Sequence, residues 1–277
     1  MIKSIASAFQ TPAAPGVLCV IVDASFDPQL QLRIDQSLEQ GVTRSVALFN
    51  DTPYVALQAV GPIALLCPTT GGLMDHLSTL FERTDAGCVA YMKNEYAFEQ
   101  VVTHWRSLLT VSTDDGPTRM FRFFDPRWLE PLLNSLDEAE RWQFLGPITD
   151  LAWRNELGWR HQANPRATLN TEVKDPGWLH LDRQRQNAMD HHRLQVQAAQ
   201  LAQHYRSALP MPQAETFVYE QLLAARQAGY LEIVEQERWL RLALRHGDGF
   251  WERSPFAQLL QSEDQSLDQK LVGLEQL

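Results

Sequence analysis

The sequence predicts an α+β or α/β fold, with an N-terminal lobe built on a mixed sheet and an all-helical C-terminal lobe. Short apolar runs of strand length alternate with amphipathic helical segments up to residue 108, which is typical of a layered α/β fold. A hairpin signal follows, and after residue 179 helical segments succeed one another without a convincing strand. We therefore expect an α/β lobe over 1–147, an irregular connecting segment over 148–178 and a helical lobe over 179–277.

The N-terminal elements are predicted from apolar runs and helix-start signals. Residues 17–22 are a continuous apolar run, which predicts a central strand covered on both faces. Asp27-Pro28 predicts a helix start, since Asp is a favoured N-cap and Pro suits the first helical turn, and Gly41 is expected to end that helix. Further strands are predicted over 45–49, 54–57, 62–67 and 88–92, and further helices over 73–83 and 95–108.

The stretch from Leu108 to Leu133 is the most informative part of the chain. Residues 114–117, Asp-Asp-Gly-Pro, have the chemistry of a tight turn, and residues 119–124 predict a half-buried strand that closes the sheet. Asp125-Pro126 then repeats the N-cap and first-turn device. Arg122 is interpreted as an ion-pair partner that locks the hairpin to this helix start. Residues 135–138 fit a capping box that opens a helix to about residue 144.

The second half of the chain changes character at residue 148. Residues 148–178 are rich in Trp, Asn, Gly and Pro and lack periodicity, which predicts irregular connecting structure. Helices are then predicted over 188–209, 214–227, 235–245 and 265–277.

Composition excludes several function classes. A net charge of −10 and a pI near 5.3 argue against a nucleic-acid-binding surface. No run approaches the roughly 20 apolar residues of a membrane span, and the first residues do not form a signal peptide, so a cytoplasmic location is expected. Cys19, Cys67 and Cys88 each lie in an apolar run, which predicts buried thiols without a disulfide framework or zinc site.

Catalytic and metal-binding patterns are absent from the sequence. It contains no GxxxxGK[ST], GxGxxG, GxSxG or HExxH motif. Asp114 and Asp115 are interpreted as solvated turn residues, and the N-cap role accounts for Asp125. The spacing of the histidines does not place a ligand set on one helix face, which favours ordinary exposed residues: His180, His191, His192 and His204. We therefore expect a protein that is not an enzyme and has no metal or cofactor.

The tryptophans leave two interpretations open. Seven of the eight follow residue 127. They can pack the cores and the junction between lobes, or they can line a groove, with arginines, that grips a peptide or helix. The residues predicted to bind a partner on the second interpretation are Trp153, Trp159, Trp178 and Trp239.

An ordered set of short motifs carries a resemblance. In chain order they are Asp23-Ala24, Gly61-Pro62, His104–Leu109, Asp115-Gly116, Phe121–Arg127 and Leu145–Pro147. This set resembles the adaptor (chaperone) family encoded beside type VI secretion spike and effector genes in Gram-negative bacteria. Trp105 stands where that family often has leucine, and Phe124 where it often has tyrosine.

The resemblance implies a cytoplasmic, non-enzymatic adaptor. Such a protein binds a toxic effector and helps to place it on a VgrG-type spike, with no nucleic-acid or membrane partner. The residues of the family's structural motif here are Arg122, Asp125, Pro126 and Arg127. The cargo is expected between the lobes and on the helical face. Two alternatives remain: a small-molecule enzyme that uses Arg122, Asp125 and a histidine, and a structural subunit of a larger assembly.

Overall fold

The computed structural model describes residues 17–39, 44–66, 70–155, 158–167, 174–209 and 212–277. The chain divides into two compact units, residues 1–189 and 190–277. The first unit combines antiparallel sheet with helices and the second is helical, which confirms the predicted fold class.

Six strands of the first unit form an antiparallel sheet in the order β2-β3-β1-β4-β7-β8. The strands are β1 Val17–Asp23, β2 Arg44–Ala47, β3 Pro62–Leu66, β4 Gly87–Met92, β7 Asp150–Asn155 and β8 Gly158–Ala163. Three helices follow strands β1, β3 and β4 along the chain: α1 Leu30–Glu39, α2 Gly72–Arg83 and α3 Phe98–Leu108.

The central position predicted for the first strand is confirmed. β1 pairs with β3 on one side and β4 on the other. Val20 and its neighbours on the same face pack in a core with α1 and α2, while Cys19 and Ile21 pack in a second core with α3. Both faces of β1 are therefore covered, as its continuous apolar run requires.

The predicted hairpin forms, but it belongs to a second sheet and does not close the first. Its strands are β5 Thr110–Thr113 and β6 Gly116–Met120, and a short strand, β9 Leu179–Leu181, pairs with β5 in parallel. The strand predicted over 119–124 ends at Met120. Phe123 and Phe124 are both buried, whereas consecutive residues of a half-exposed strand face opposite sides.

Two helices follow the hairpin, α4 Pro126–Ser135 and α5 Glu138–Leu145. The capping box of α5 joins Asp137 and Glu140, so its predicted position at 135–138 was two residues early. The strand predicted over 54–57 is also wrong. A 3-10 helix, Val55–Val60, occupies this stretch, and its exposed backbone closes local turns, such as Gly61 N–H to Gln58 O at 3.3 Å.

The irregular segment predicted over 148–178 is wrong where β7 and β8 extend the main sheet. Leu151 and Trp153 enter one core and Ala152 the other, which is the two-residue alternation of a strand. This alternation covers so few residues that the surrounding turn residues hide it in the sequence. The two compact units meet in sequence at 189–190, inside the helix α6 Arg183–His204, and not at this segment.

The second unit contains most of α6 and four further helices: α6 Arg183–His204, α7 Ala214–Gln227, α8 Ile233–His246, α9 Phe256–Gln261 and α10 Leu267–Glu275. The short α9 was not predicted. Cys19 and Cys88 are buried, as predicted; Gly41 and Cys67 lie outside the described residues. Across the ranges given above, no helix has the length and apolar character needed to cross a bilayer.

Candidate functional site

Asp23, Arg122, Asp125 and Arg127 form a network of two carboxylates and two guanidinium groups. Asp23 at the end of β1 and Asp125 before α4 are both 1% exposed. Arg122 pairs with Asp23, and its Nε lies 3.9 Å from Asp125 Oδ2. Arg127 donates from Nε and Nη2 to the two carboxylate oxygens of Asp125 at 2.9 and 2.6 Å. The network therefore joins the end of β1 to the start of α4.

Local backbone structure places each carboxylate. Asp125 is the N-cap of α4 and accepts the backbone N–H of Arg127 at 3.0 Å, while Pro126 occupies the first helical position. Asp23 accepts the backbone N–H of Ser25 at 2.9 Å. The N-cap prediction for Asp125 is confirmed. Its hydrogen bond to Arg127 raises the pKa of that guanidinium above its ordinary value.

This network is suited to holding elements together. Both carboxylates accept backbone and guanidinium donors, and Arg122 also stacks over Phe124, with Cζ 5.3 Å from the ring centroid. Removal of one partner from such a buried pair leaves an uncompensated charge, which is costly. The sequence predicted Arg122 as an ion-pair partner but missed Asp23, although an acid directly after a buried apolar run was an available signal.

A second pair of motifs is explained by direct contact. His104 on α3 is buried, and its Nε2 lies 2.8 Å from the carbonyl oxygen of Phe144. A Cβ on Gly146 would lie 2.5 Å from the same His104 atom, and Gly146 has φ +58°. Glycine is therefore required here both by conformation and by the close approach of the ring. Burial lowers the pKa of His104.

Three polar side chains form a hydrogen-bonded chain beside the hairpin. Ser112 Oγ lies 3.1 Å from His180 Nδ1, and His180 Nε2 lies 2.9 Å from Asp114 Oδ1. The order of serine, histidine and aspartate is that of a hydrolase triad, but the ring nitrogens are exchanged, with Nδ1 toward the serine and Nε2 toward the aspartate. His180 and Asp114, however, have side chains 48% and 46% exposed, so water competes for these contacts.

The same aspartates also tie the hairpin to the start of α6. Asp114 Oδ2 accepts the backbone N–H of Arg183 at 2.9 Å, and Asp115 accepts from the Arg183 guanidinium at 2.7 Å. The backbone hydrogen bond from Arg183, followed by the one from His180, lowers the pKa of Asp114. Both aspartates are exposed residues of the turn, as predicted, and their contacts with Arg183 and His180 were not predicted. Across the described ranges, no group of three His, Cys, Asp or Glu side chains is placed to hold a metal ion.

The four tryptophans predicted to bind a partner are distributed over different cores. Trp153 and Trp239 are 4% and 0% exposed, so a direct contact with a partner would require the surrounding core to open. Trp159 is half-buried and packs on the face of the main sheet opposite to that of Trp153, edge-on to Phe81. Trp178 is half-buried, and its Nε1 donates to Ser107 Oγ at 3.1 Å. Trp153 and Trp178 thus belong to one core of the first unit, Trp159 to its other core and Trp239 to a core of the second unit. Their partner-binding role stays a prediction.

A cluster that the sequence did not single out combines tryptophan with cations. Arg166 stacks over Trp142 at 3.8 Å from the ring centroid, and Lys174 lies 4.4 Å from the centroid of Trp178. Lys174 also donates to Gln143 at 2.7 Å, which links the two pairs. All four partners are partly or fully exposed. Spacing cannot reveal the contacts of Arg166 with Trp142 and of Lys174 with Gln143, because these residues are far apart in the chain.

Comparison with known proteins gives one match. Residues 18–143 match the model of a family described as a domain of unknown function (DUF4123), which covers the main sheet as far as β4, the hairpin and the ion network. No curated protein and no solved structure matches the chain.

Proposed function

We propose that this protein is a cytoplasmic, non-enzymatic adaptor that binds a type VI secretion effector and assists its loading onto a VgrG-type spike. The matched family is associated with effectors of that secretion system, and the ordered motifs that resemble it lie largely within the matched residues. The finer parts of the proposal, the effector and the spike as partners, rest on that association.

The observation that carries the proposal is that both carboxylates of the ion network are buried and already hydrogen-bonded. The carboxylates of Asp23 and Asp125 are buried and saturated by guanidinium and backbone donors. A general acid or base needs an accessible oxygen within reach of a substrate proton. The motif therefore acts as a rigid support, and function falls to the surfaces that this support holds in place.

The cluster of Trp142, Arg166, Lys174 and Trp178 is the surface of the first unit that supports partner binding. Tryptophan and arginine are enriched at binding hot spots, because they combine a large apolar area with directed polar contacts. Cations stacked on aromatic faces are also held with less conformational freedom than isolated side chains, which lowers the entropic cost of binding.

Co-expression with the genes that flank this one, among which the adaptor function predicts a toxin, tests that function. We expect a stoichiometric complex and a higher soluble yield of the toxin. The paired replacement Trp142→Ala and Trp178→Ala should reduce co-purification, while Tyr96→Ala, an exposed aromatic of the same unit, should not. A toxin that stays equally soluble without the protein, and never co-purifies with it, contradicts the proposal.

The chain of Ser112, His180 and Asp114 favours a second candidate function, hydrolysis of an ester. In that case Ser112 would be the nucleophile and His180 its general base. Turnover of a chromogenic ester by the wild-type protein, lost in Ser112→Ala and retained in Thr113→Ala, would support hydrolysis. On the adaptor proposal the wild-type protein and both variants share the same background rate.

A further inference from the structure

The start of α8 and the start of α10 carry an exposed apolar patch. Leu231, Ile233 and Val234 are 65%, 52% and 68% exposed, and Leu267 is 42% exposed; we call these four side chains the α8/α10 patch. The exposure is local, because Trp239 on the next turns of α8 is fully buried. Large apolar side chains concentrated in this way mark an interaction surface more often than scattered ones do.

The two helix starts are joined by the turn that precedes α8. The Tyr230 hydroxyl donates to the backbone oxygen of Leu267 at 3.3 Å. A Cβ on Gly229 would lie 3.3 Å from Leu267 Cδ1, and Gly229 has φ +98°. The side chain of Leu267 therefore lies against the turn that leads directly into Leu231, so the two parts of the patch are neighbours.

Acidic residues border this patch. Glu232 lies between two of its members in sequence and is exposed, and Asp268 follows Leu267 with a side chain that is 76% exposed. The charges of Glu235 and Asp268 both act on Tyr230, whose pKa is raised first by burial and then by Glu235. The Arg238 guanidinium donates to both oxygens of Glu275 at 2.8 Å and also lies 3.4 Å from Asp268 Oδ1. One cation is thus shared between two acids, and with Glu232 and Glu235 the border remains net negative.

We propose that the α8/α10 patch docks an apolar segment of the effector that is flanked by lysine or arginine. This inference rests on the proposed adaptor function and names the chemistry of the segment that is recognised. Burial of the apolar centre supplies affinity, and the acidic border selects flanking cations. The same border disfavours a second copy of this chain, which would bring an identical acidic border, and it disfavours an anionic membrane surface.

Binding of a synthetic peptide to the full-length protein tests the chemistry of the patch. The probe is a short fluorescent amphipathic peptide of leucine and lysine, and its control replaces every lysine by glutamate. We expect the Leu–Lys peptide to bind the wild-type protein and the Leu–Glu peptide not to bind. The variant Ile233→Ser/Val234→Ser should weaken binding at least about tenfold, while Leu32→Ser, which is 61% exposed in the first unit, should not.

A charge variant separates the border from the centre. Glu232→Gln/Asp268→Asn keeps the apolar side chains, so it should weaken binding less and should flatten the dependence on salt. Equal binding of the Leu–Lys peptide to the wild type and to Ile233→Ser/Val234→Ser would reveal a general attraction to an acidic protein and would overturn the site. A dimer that the same double variant dissociates would overturn it in favour of a second copy.

Co-expression with the flanking toxin distinguishes failure of this site from failure of the adaptor function. Retention of the toxin by the wild type and equally by Ile233→Ser/Val234→Ser would overturn the site and leave the adaptor function standing. If the wild type retains no toxin, the adaptor function itself is contradicted. The proposal that an effector segment occupies the α8/α10 patch is then contradicted too. Far-UV circular dichroism melting of each variant establishes that the exposed substitutions leave the fold intact.

Discussion

At the scale of single residues, two buried carboxylates explain why the most recognisable motif is structural. Asp23 and Asp125 are almost fully buried, while Arg122 and Arg127 keep side chains 42% and 43% exposed. Solvent screens the guanidinium ends, so each pair is worth less than a fully buried one. The carboxylate ends gain the most from pairing, because they have no water to replace a lost donor.

Replacement of Asp125 by alanine should lower the free energy of unfolding by about 2–3 kcal/mol. About 1 kcal/mol of this is the lost N-cap, and the rest is the loss of the paired charge beside Arg127. Asp125→Asn keeps a capping oxygen and should lose about half as much. Urea unfolding measures both changes. If Asp125→Ala and Asp125→Asn are equally stable, the loss does not divide into an N-cap contribution and a charge contribution.

Acidification should destabilise the protein through His104. Burial lowers the pKa of His104 in the folded state below its ordinary value of 6.5, so the unfolded chain binds the proton more readily. Stability contributed by the neutral ring is therefore complete above about pH 6.5 and is lost as the pH falls from there through the folded-state pKa. His104→Gln should reduce the loss of stability between about pH 7 and 5.

The control for this effect is His204→Gln, since His204 is exposed on α6. Thermal melts over the same range of pH give the comparison. If His204→Gln flattens the pH profile as much as His104→Gln does, the burial of His104 is not the cause.

At the scale of elements, close backbone approaches decide which positions tolerate change. Gly87 begins β4 beside β1, and a Cβ there would lie 1.9 Å from the backbone oxygen of Ile21. Gly72 begins α2, and a Cβ there would meet nothing within 4 Å. The packing therefore requires glycine at position 87 but leaves room for a side chain at position 72.

Replacement of Gly87 by alanine should cost about 3 kcal/mol or more, because two strands of the central sheet must separate to admit the methyl group. Gly72→Ala should be neutral or slightly stabilising, since alanine restricts the unfolded chain. Urea unfolding of the two variants provides the measurement. A Gly87→Ala protein as stable as Gly72→Ala would contradict the close approach of β1 and β4.

Replacement of Asp114 by alanine should loosen the start of α6. The change removes the acceptor for the backbone N–H of Arg183 and for His180. Hydrogen exchange should accelerate over residues 179–186 and remain unchanged in β1, because local opening reports local contacts. Glu138→Ala, which removes an exposed acid in the first turn of α5, is the control. Equal hydrogen-exchange protection of residues 179–186 in both variants would contradict a stabilising role of Asp114 at the start of α6.

The elements that sequence patterns predicted well are those with long apolar runs or explicit caps. β1, the hairpin turn and the start of α4 all carry such signals. β9 has three residues and exists through its pairing with β5, about 70 positions away in sequence. β8 is polar and half-exposed, so its apolar content is too low to stand out. At the site, the N-cap was predictable from Asp125-Pro126. The position of Asp23 after an apolar run was also a signal, but its pairing with Arg122 depends on tertiary structure.

At the scale of the whole molecule, the two compact units have separate apolar cores. The first unit surrounds its main sheet with two cores. The second contains one core around Trp239 and another around Leu222. The buried side chains of each core come from a single unit, although helix α6 contributes residues to both units. Unfolding caused by a substitution in one core should therefore remain largely within its unit.

Replacement of Trp239 by alanine should test this separation. Trp239 is fully buried, with its ring centroid 5.0 Å from that of Phe250, and truncation of such a residue costs about 3–5 kcal/mol. Hydrogen exchange should accelerate across α7 and α8 while β1 keeps its protection. Equal acceleration in β1 would mean that the two units unfold as one.

The central position of β1 has a consequence for synthesis of the chain on the ribosome. β1 is the first described strand to be translated. Its partner β3 follows about 40 residues later, and its other partner β4 follows about 65 residues later, roughly 3–13 s at common elongation rates. The guanidinium that pairs with Asp23 arrives later still, 99 residues along the chain. During that interval the apolar residues 18–22, which become buried in the sheet centre, have a strand partner on one edge at most. Asp23 is then a charge at the end of an aggregation-prone segment, where it can act as a gatekeeper before Arg122 makes it part of the native structure.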